Sequence, residues 1–298
     1  MRPNWIAACV LAAIFFALLT SNYPTRAQGV KIQFHETRVS PSDLELAGDV
    51  AGVPRGATVY ARRSDLVALP QTYFTVSDDS NFTGPTKVSG VLLEDLLRDL
   101  GAAPGAEMVV AISSDKYHGN YPREYIAAHH PLLVLEVNGK PPEGWPKDSS
   151  GSGLDMGPYM ISHAKFAPSF KILAHEDEAQ IPWAVIRLEF RDEKAVFGAI
   201  APRGPHANDA NVLAGNRIAQ QNCFRCHNSG GEGGRKSGVS WTALAALAAG
   251  SPKFFSEYVR GPASKNPRTQ MAASREYDDA TMHALIEYFS TFASPEAR

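Results

Sequence analysis

Cys223-Phe224-Arg225-Cys226-His227 is the stretch whose reading decides this chain. C-x-x-C-H is the attachment signature for haem c: two thiols at this spacing bond the two vinyl groups of one haem, and the adjacent histidine reaches the iron. Thioredoxin-like redox pairs and halves of zinc sites share the C-x-x-C spacing. Zinc needs two further ligands at matching spacing, and the chain has no second C-x-x-C and no H-x-x-x-H. A thioredoxin-like pair follows a strand in a βαβ pattern, whereas this pair closes a helix-like segment. The motif therefore predicts one covalent haem c on Cys223 and Cys226, with His227 as an axial ligand of the iron.

The amino terminus predicts export. Arg2 precedes an apolar run from Trp5 to Thr20, and Thr25-Arg26-Ala27 supplies small residues where a signal peptidase cuts. Residues 1–27 are read as a cleavable signal peptide, which places the mature chain in the periplasm with no membrane span. The alternative is an uncleaved anchor, although the run is short against the roughly 20 apolar residues a span needs. Cys9 leaves with the signal, so Cys223 and Cys226 are the only cysteines of the mature chain and no disulfide framework exists.

The remaining length suits two domains. Residues 211–298 carry a net charge of +3 and residues 28–210 a net charge of −7, a balance that argues against nucleic acid as a partner. Lys253, Arg260, Lys265 and Arg268 either ring a haem edge and steer an acidic redox partner, or form an ordinary solvated face. Ala201-Pro202-Arg203-Gly204-Pro205 punctuates the chain, so residues 28–200 form one domain, 201–210 a linker and 211–298 a second domain.

The second domain reads as helix and loop. Asn208 or Asp209 caps a helix that runs to Cys223. Ser240 precedes a second, stopped by Gly250, and Ser251-Pro252 opens a third. Asp278 or Asp279 caps a last helix bearing Met282, Leu285, Ile286 and Phe289. With its C-x-x-C-H, this domain resembles the small class I c-type cytochromes over residues 208–294. The resemblance implies a tight crossing of the first and last helices, with Gly215 facing Tyr288 or Phe289. It also implies an axial methionine from a loop ahead of the last helix, which is where Met271 lies. In the family a proline often follows that methionine; Ala272 stands there here. Met282 falls on the apolar helix face, where core packing is the better reading, and His283 is a weaker rival for the iron.

Residues 28–200 read as a mixed α+β domain dominated by strands. Strand-like runs recur at Thr58–Ala61, Tyr73–Val76, Met108–Ser113, Leu132–Val137, Tyr159–Ser162 and Ala184–Phe190. A short amphipathic helix is predicted over Val91–Gly101, and Asn138-Gly139 marks a turn. The overall class is α+β: a mixed front domain followed by an all-α domain. Phe82-Thr83-Gly84-Pro85, the Gly90–Leu97 run, Ser114-Asp115-Lys116-Tyr117, Leu135–Lys140 and Gly157-Pro158-Tyr159 resemble the molybdopterin-binding domain of the sulfite oxidase family, in order, over residues 65–192. That family holds molybdenum through one cysteine thiolate, in a segment matching roughly Thr75–Asp79 here. No cysteine lies between Gln28 and Asn222. A serine oxygen is a weaker, harder ligand that must first lose its proton, so the expectation is a retained scaffold without molybdopterin.

Asp115, Tyr117, His118, His129 and His130 cluster in sequence, but adjacent histidines point in different directions, and surface or cap roles are the plainer reading. The sequence thus predicts a periplasmic monohaem cytochrome that moves electrons between a dehydrogenase or oxidoreductase and a downstream acceptor, with the front domain docking the redox partner. The competing readings are a molybdopterin-dependent oxidoreductase with its own haem outlet, and a cytochrome subunit of a larger complex.

Overall fold

The computed structural model describes residues 32–103, 105–147, 155–164, 175 and 177–293. The signal-peptide reading of 1–27 therefore lies outside the described residues.

In chain order the front half runs through β1 (Phe34–His35), β2 (Leu44–Gly48), β3 (Thr58–Ala61), α1 (Arg63–Val67), β4 (Thr72–Val76) and β5 (Thr86–Leu92). Next come α2 (Leu93–Asp99), β6 (Met108–Ser113), β7 (His118–Pro122), α3 (Arg123–His129), β8 (Leu132–Val137), β9 (Met160–Ser162) and β10 (Val185–Arg191). The chain continues with α4 (Glu193–Gly198), α5 (Ala210–Asn222), β11 (Asn228–Ser229), β12 (Glu232–Gly233) and α6 (Trp241–Gly250). It ends with α7 (Pro252–Arg260), α8 (Pro262–Lys265) and α9 (Asp279–Ser290). The fold is α+β.

Two sheets build the front half. One has the order β1-β3-β2-β10-β6-β7, antiparallel except where β10 runs parallel to β2. The other has the order β4-β5-β8-β9 and is antiparallel throughout. The Asn138-Gly139 turn is present: both residues take positive φ, as a two-residue hairpin turn demands, and Val137 and Lys140 exchange backbone hydrogen bonds.

The helix expected from Val91 starts later. Val91 and Leu92 pair with Leu133 and Leu132 of β8, and only Leu93 begins the helical turns. The run is apolar enough for either state, and the buried pairing of two strands decides it for Val91.

The large sheet carries a core on each face, and alternation along β6 separates the two. Val109 and Ala111 face the front core with Leu188, Phe190 and Tyr121, whereas Met108, Val110 and Ile112 face the opposite way. There they pack in one cluster with Val196, Phe197 and Ile200, with Phe224, and with the helical residues Val212, Trp241 and Phe289. The helices therefore cover the back of the front half's own sheet. α4 and Ile200, which precede the prolines at 202 and 205, also pack in this shared cluster.

Three of the four principal helices begin at the residue expected to start them. Ser240 Oγ accepts from the Ala243 N–H, Asp278 Oδ1 accepts from the Thr281 N–H, and Pro252 opens α7 at a position that needs no amide proton. Asp209 precedes α5, but its carboxylate pairs with His206 Nδ1 rather than with the helix. A short β11–β12 ladder interrupts the expected run of helix and loop.

Candidate haem-attachment site

The motif forms one further turn beyond α5. The amides of Cys223 and Phe224 both donate to Ala219 O, and the His227 amide donates to Cys223 O at 3.0 Å. In such a turn positions i, i+3 and i+4 share a side, so Cys223, Cys226 and His227 are gathered together. Phe224 goes the other way, fully buried against Trp241 at 5.5 Å between ring centroids.

His227 is oriented through its ring. Its ring Nδ1 lies 2.7 Å from the Val239 carbonyl oxygen. A carbonyl only accepts, so Nδ1 carries the proton, and the lone pair belongs to Nε2. Burial pulls the ring's pKa below its ordinary value, against the opposing effect of the Val239 carbonyl, and so favours the neutral, ligand-competent form.

Both cysteines are free thiols, half-buried. Burial pushes Cys223 up to about 12 and raises Cys226 as well, with the Arg225 guanidinium opposing both shifts. A thioredoxin-like exchange uses the opposite environment, one that lowers the attacking thiol.

Two glycines let the following loop close on this turn. A Cβ on Gly234 would stand 1.7 Å from Arg225 O, and one on Gly233, whose φ is +88°, would stand 2.4 Å from the Phe224 ring. Gly230, Gly231, Gly233 and Gly234 are the feature of the sequence that permits this approach.

The front half holds the motif from two sides, a relationship the sequence did not disclose. The Arg225 guanidinium donates to Tyr117 Oη at 3.0 Å, to Gln221 O and to Asn222 Oδ1. The His118 amide donates to Arg225 O, the Arg235 amide donates to Lys116 O, and Lys236 pairs with Asp115 at 2.6 Å. On the other side Asn222 Nδ2 donates to His175 O, Gln180 Nε2 donates to Gln221, and the His175 ring stacks 4.4 Å from Tyr277.

Met271 sits in the loop between α8 and α9. Its amide donates to Thr269 Oγ1, which in turn accepts from Tyr258 Oη on α7, and its side chain is 36 % exposed. The described contacts do not bring it to His227. Met282 lies in the shared core at 2 % exposure, and His283 is exposed and paired with Glu287.

The five front-half residues do not make one site. Asp115 and Tyr117 face the motif loop, His129 pairs with Asp177 at 2.9 Å, and His130 pairs with Glu94 at 2.9 Å. Among the described residues no group of three or more His, Cys, Asp or Glu side chains is placed to hold a metal ion. In the stretch 75–79, Asp79 is buried, accepting from Ser162 Oγ at 2.6 Å and from the Asn81 amide at 2.9 Å; desolvation raises its pKa. His163 lies beside it around the same small void, bonded through Nε2 to Tyr125 Oη.

No family model and no curated protein matches the chain. Among solved structures, the sulfane dehydrogenase SoxCD from Paracoccus pantotrophus is similar at 16 % identity and a TM-score of 0.35, over 58 % of this chain and 45 % of that one. The chain thus spans under half the length of that relative. No helix among the described residues is long and apolar enough to cross a membrane.

Proposed function

We propose that this chain is an exported monohaem c-type cytochrome that carries electrons in the periplasm. Cys223 and Cys226 would hold haem c covalently, and His227, through Nε2, and Met271 are the residues that would ligate its iron. The observation that carries the reading is the His227 Nδ1–H donated to Val239 O, on the same turn that presents both thiols. A bound haem would supply a one-electron ferric–ferrous couple, and thioether ligation favours its reduced form.

The residues around the motif give that couple a fixed seat. Val239 O orients the imidazole, Gly233 and Gly234 admit the loop that carries it, and Arg225 ties the turn to Tyr117. In this reading the front half, without a molybdopterin, docks the redox partner, a dehydrogenase or oxidoreductase that exchanges electrons with the haem.

Iron and molybdenum per chain, measured by mass spectrometry on protein made with its export signal, test the reading. One iron and no molybdenum is the expected result. Molybdenum at one per chain would replace it with a molybdopterin-dependent oxidoreductase that has its own haem outlet. No iron would remove the cytochrome.

A further inference from the structure

A cleft of about 400 Å³ opens between the large sheet and the β11–β12 turn. Its walls come from both halves of the chain, and nothing in the proposed haem chemistry uses it. Alternation along β10 turns Leu188 and Phe190 into the front core and Arg187, Glu189 and Arg191 into the cleft. Lys116 and Arg235 complete the basic lining, joined by the bond from the Arg235 amide to Lys116 O.

The charges do not cancel. Four basic side chains line the cleft against two acidic ones, Glu189 and Glu232. The carboxylates go to the strand arginines: Glu189 bridges Arg187 and Arg191, and Glu232 takes Arg191, while Glu45 from outside the lining takes Arg187. No carboxylate among the described residues pairs with Lys116 or Arg235.

The floor adds a neutral imidazole. His118 lines the cleft, and burial pulls its pKa down to about 4, with Arg235, Arg191 and Arg187 all adding to the shift against Glu189.

We infer that this cleft binds a small oxyanion, held by Lys116 and Arg235, with a hydrogen bond from the neutral His118 ring. Concave walls and a partly apolar floor of Val110, Ile112 and Val196 suit a ligand that enters rather than a flat protein surface. The shared chemistry is a compact group with two or more negative oxygens, whether inorganic or the end of a small organic acid.

Isothermal titration calorimetry of the full-length haem-loaded protein tests this, with inorganic phosphate and succinate as separate probes. Salt is held near 0.15 M, roughly where charges more than about 8 Å apart are screened. Saturable one-site binding of either probe is expected, weakened about tenfold by Lys116→Gln and by Arg235→Gln, each the loss of one charge-assisted contact. Lys87→Gln, which removes an exposed cation from the small sheet, leaves it unchanged. Phosphate alone binding assigns an inorganic ligand, and tighter succinate binding assigns an organic acid lying on the apolar floor. No saturable binding of either probe, or equal affinity in Lys116→Gln, Arg235→Gln and the unaltered protein, overturns the site.

Discussion

Gly215 on α5 and Tyr288 on α9 meet so closely that a Cβ on the glycine would stand 2.7 Å from the tyrosine Cβ and 2.1 Å from Ala284 O. The two helices cross here with no room for a side chain, and Tyr288 Oη reaches on to Ile200 O at 2.6 Å. The crossing holds α5, and with it the C-x-x-C-H turn, against the shared core.

Replacing Gly215 by alanine forces backbone apart from backbone. We expect a loss of about 1–3 kcal/mol despite alanine's better helix propensity. Gly198→Ala, where an added Cβ meets nothing within 4 Å, is the control and stays close to the unaltered protein. Urea unfolding of both variants decides the matter.

His163 makes stability depend on acid. Burial, with a smaller push from His129, holds its pKa at about 3 against an ordinary 6.5. Below pH 6.5 the unfolded chain takes up a proton that the folded one refuses, so stability is complete above that pH and falls steadily toward pH 3. The slope from this one group is about 1.4 kcal/mol per pH unit at most. His163→Gln can still reach Tyr125 Oη, and we expect it to flatten the fall; an unchanged slope in pH-dependent urea unfolding counts against the assignment.

Tyr117→Phe removes a single hydroxyl that accepts from the Arg225 guanidinium. A hydrogen bond to a charged group is worth about 1.5–3 kcal/mol, and the arginine keeps Gln221 O and Asn222 Oδ1. We expect a stability loss in that range, read from denaturant midpoints.

Met271→Ala tests the sixth ligand. With the thioether gone, the midpoint potential of the haem-loaded protein falls, and the iron binds added imidazole that the unaltered protein resists. Met282→Leu, a swap inside the shared core, changes neither. Identical potentials for Met271→Ala and the unaltered protein would give the sixth position to another group.

Much of the fold was legible because its signals are local. Ser240, Pro252 and Asp278 mark helix starts through bonds within one turn, and Asn138-Gly139 marks a hairpin. β5 was harder: Val91 and Leu92 are strand because β8 pairs with them, and that partner lies some forty residues on. The motif announced the thiols and the histidine, but not Val239 O, which only loop closure brings to Nδ1. The alternation Arg187-Leu188-Glu189-Phe190-Arg191 stands in the sequence, but the joining of that strand face to Lys116 and Arg235 is wholly tertiary. Likewise, no sequence spacing pairs Asp79 with Ser162 or Arg225 with Tyr117.

The central claim is that Cys223 and Cys226 carry a haem covalently. Intact-mass spectrometry under denaturing conditions, on protein produced alongside a cytochrome c maturation system, tests it most directly. The account predicts a chain heavier by one haem, an addition that persists through unfolding and disappears when both cysteines are replaced by alanine. A chain of unmodified mass, or a haem that leaves on denaturation, would contradict it.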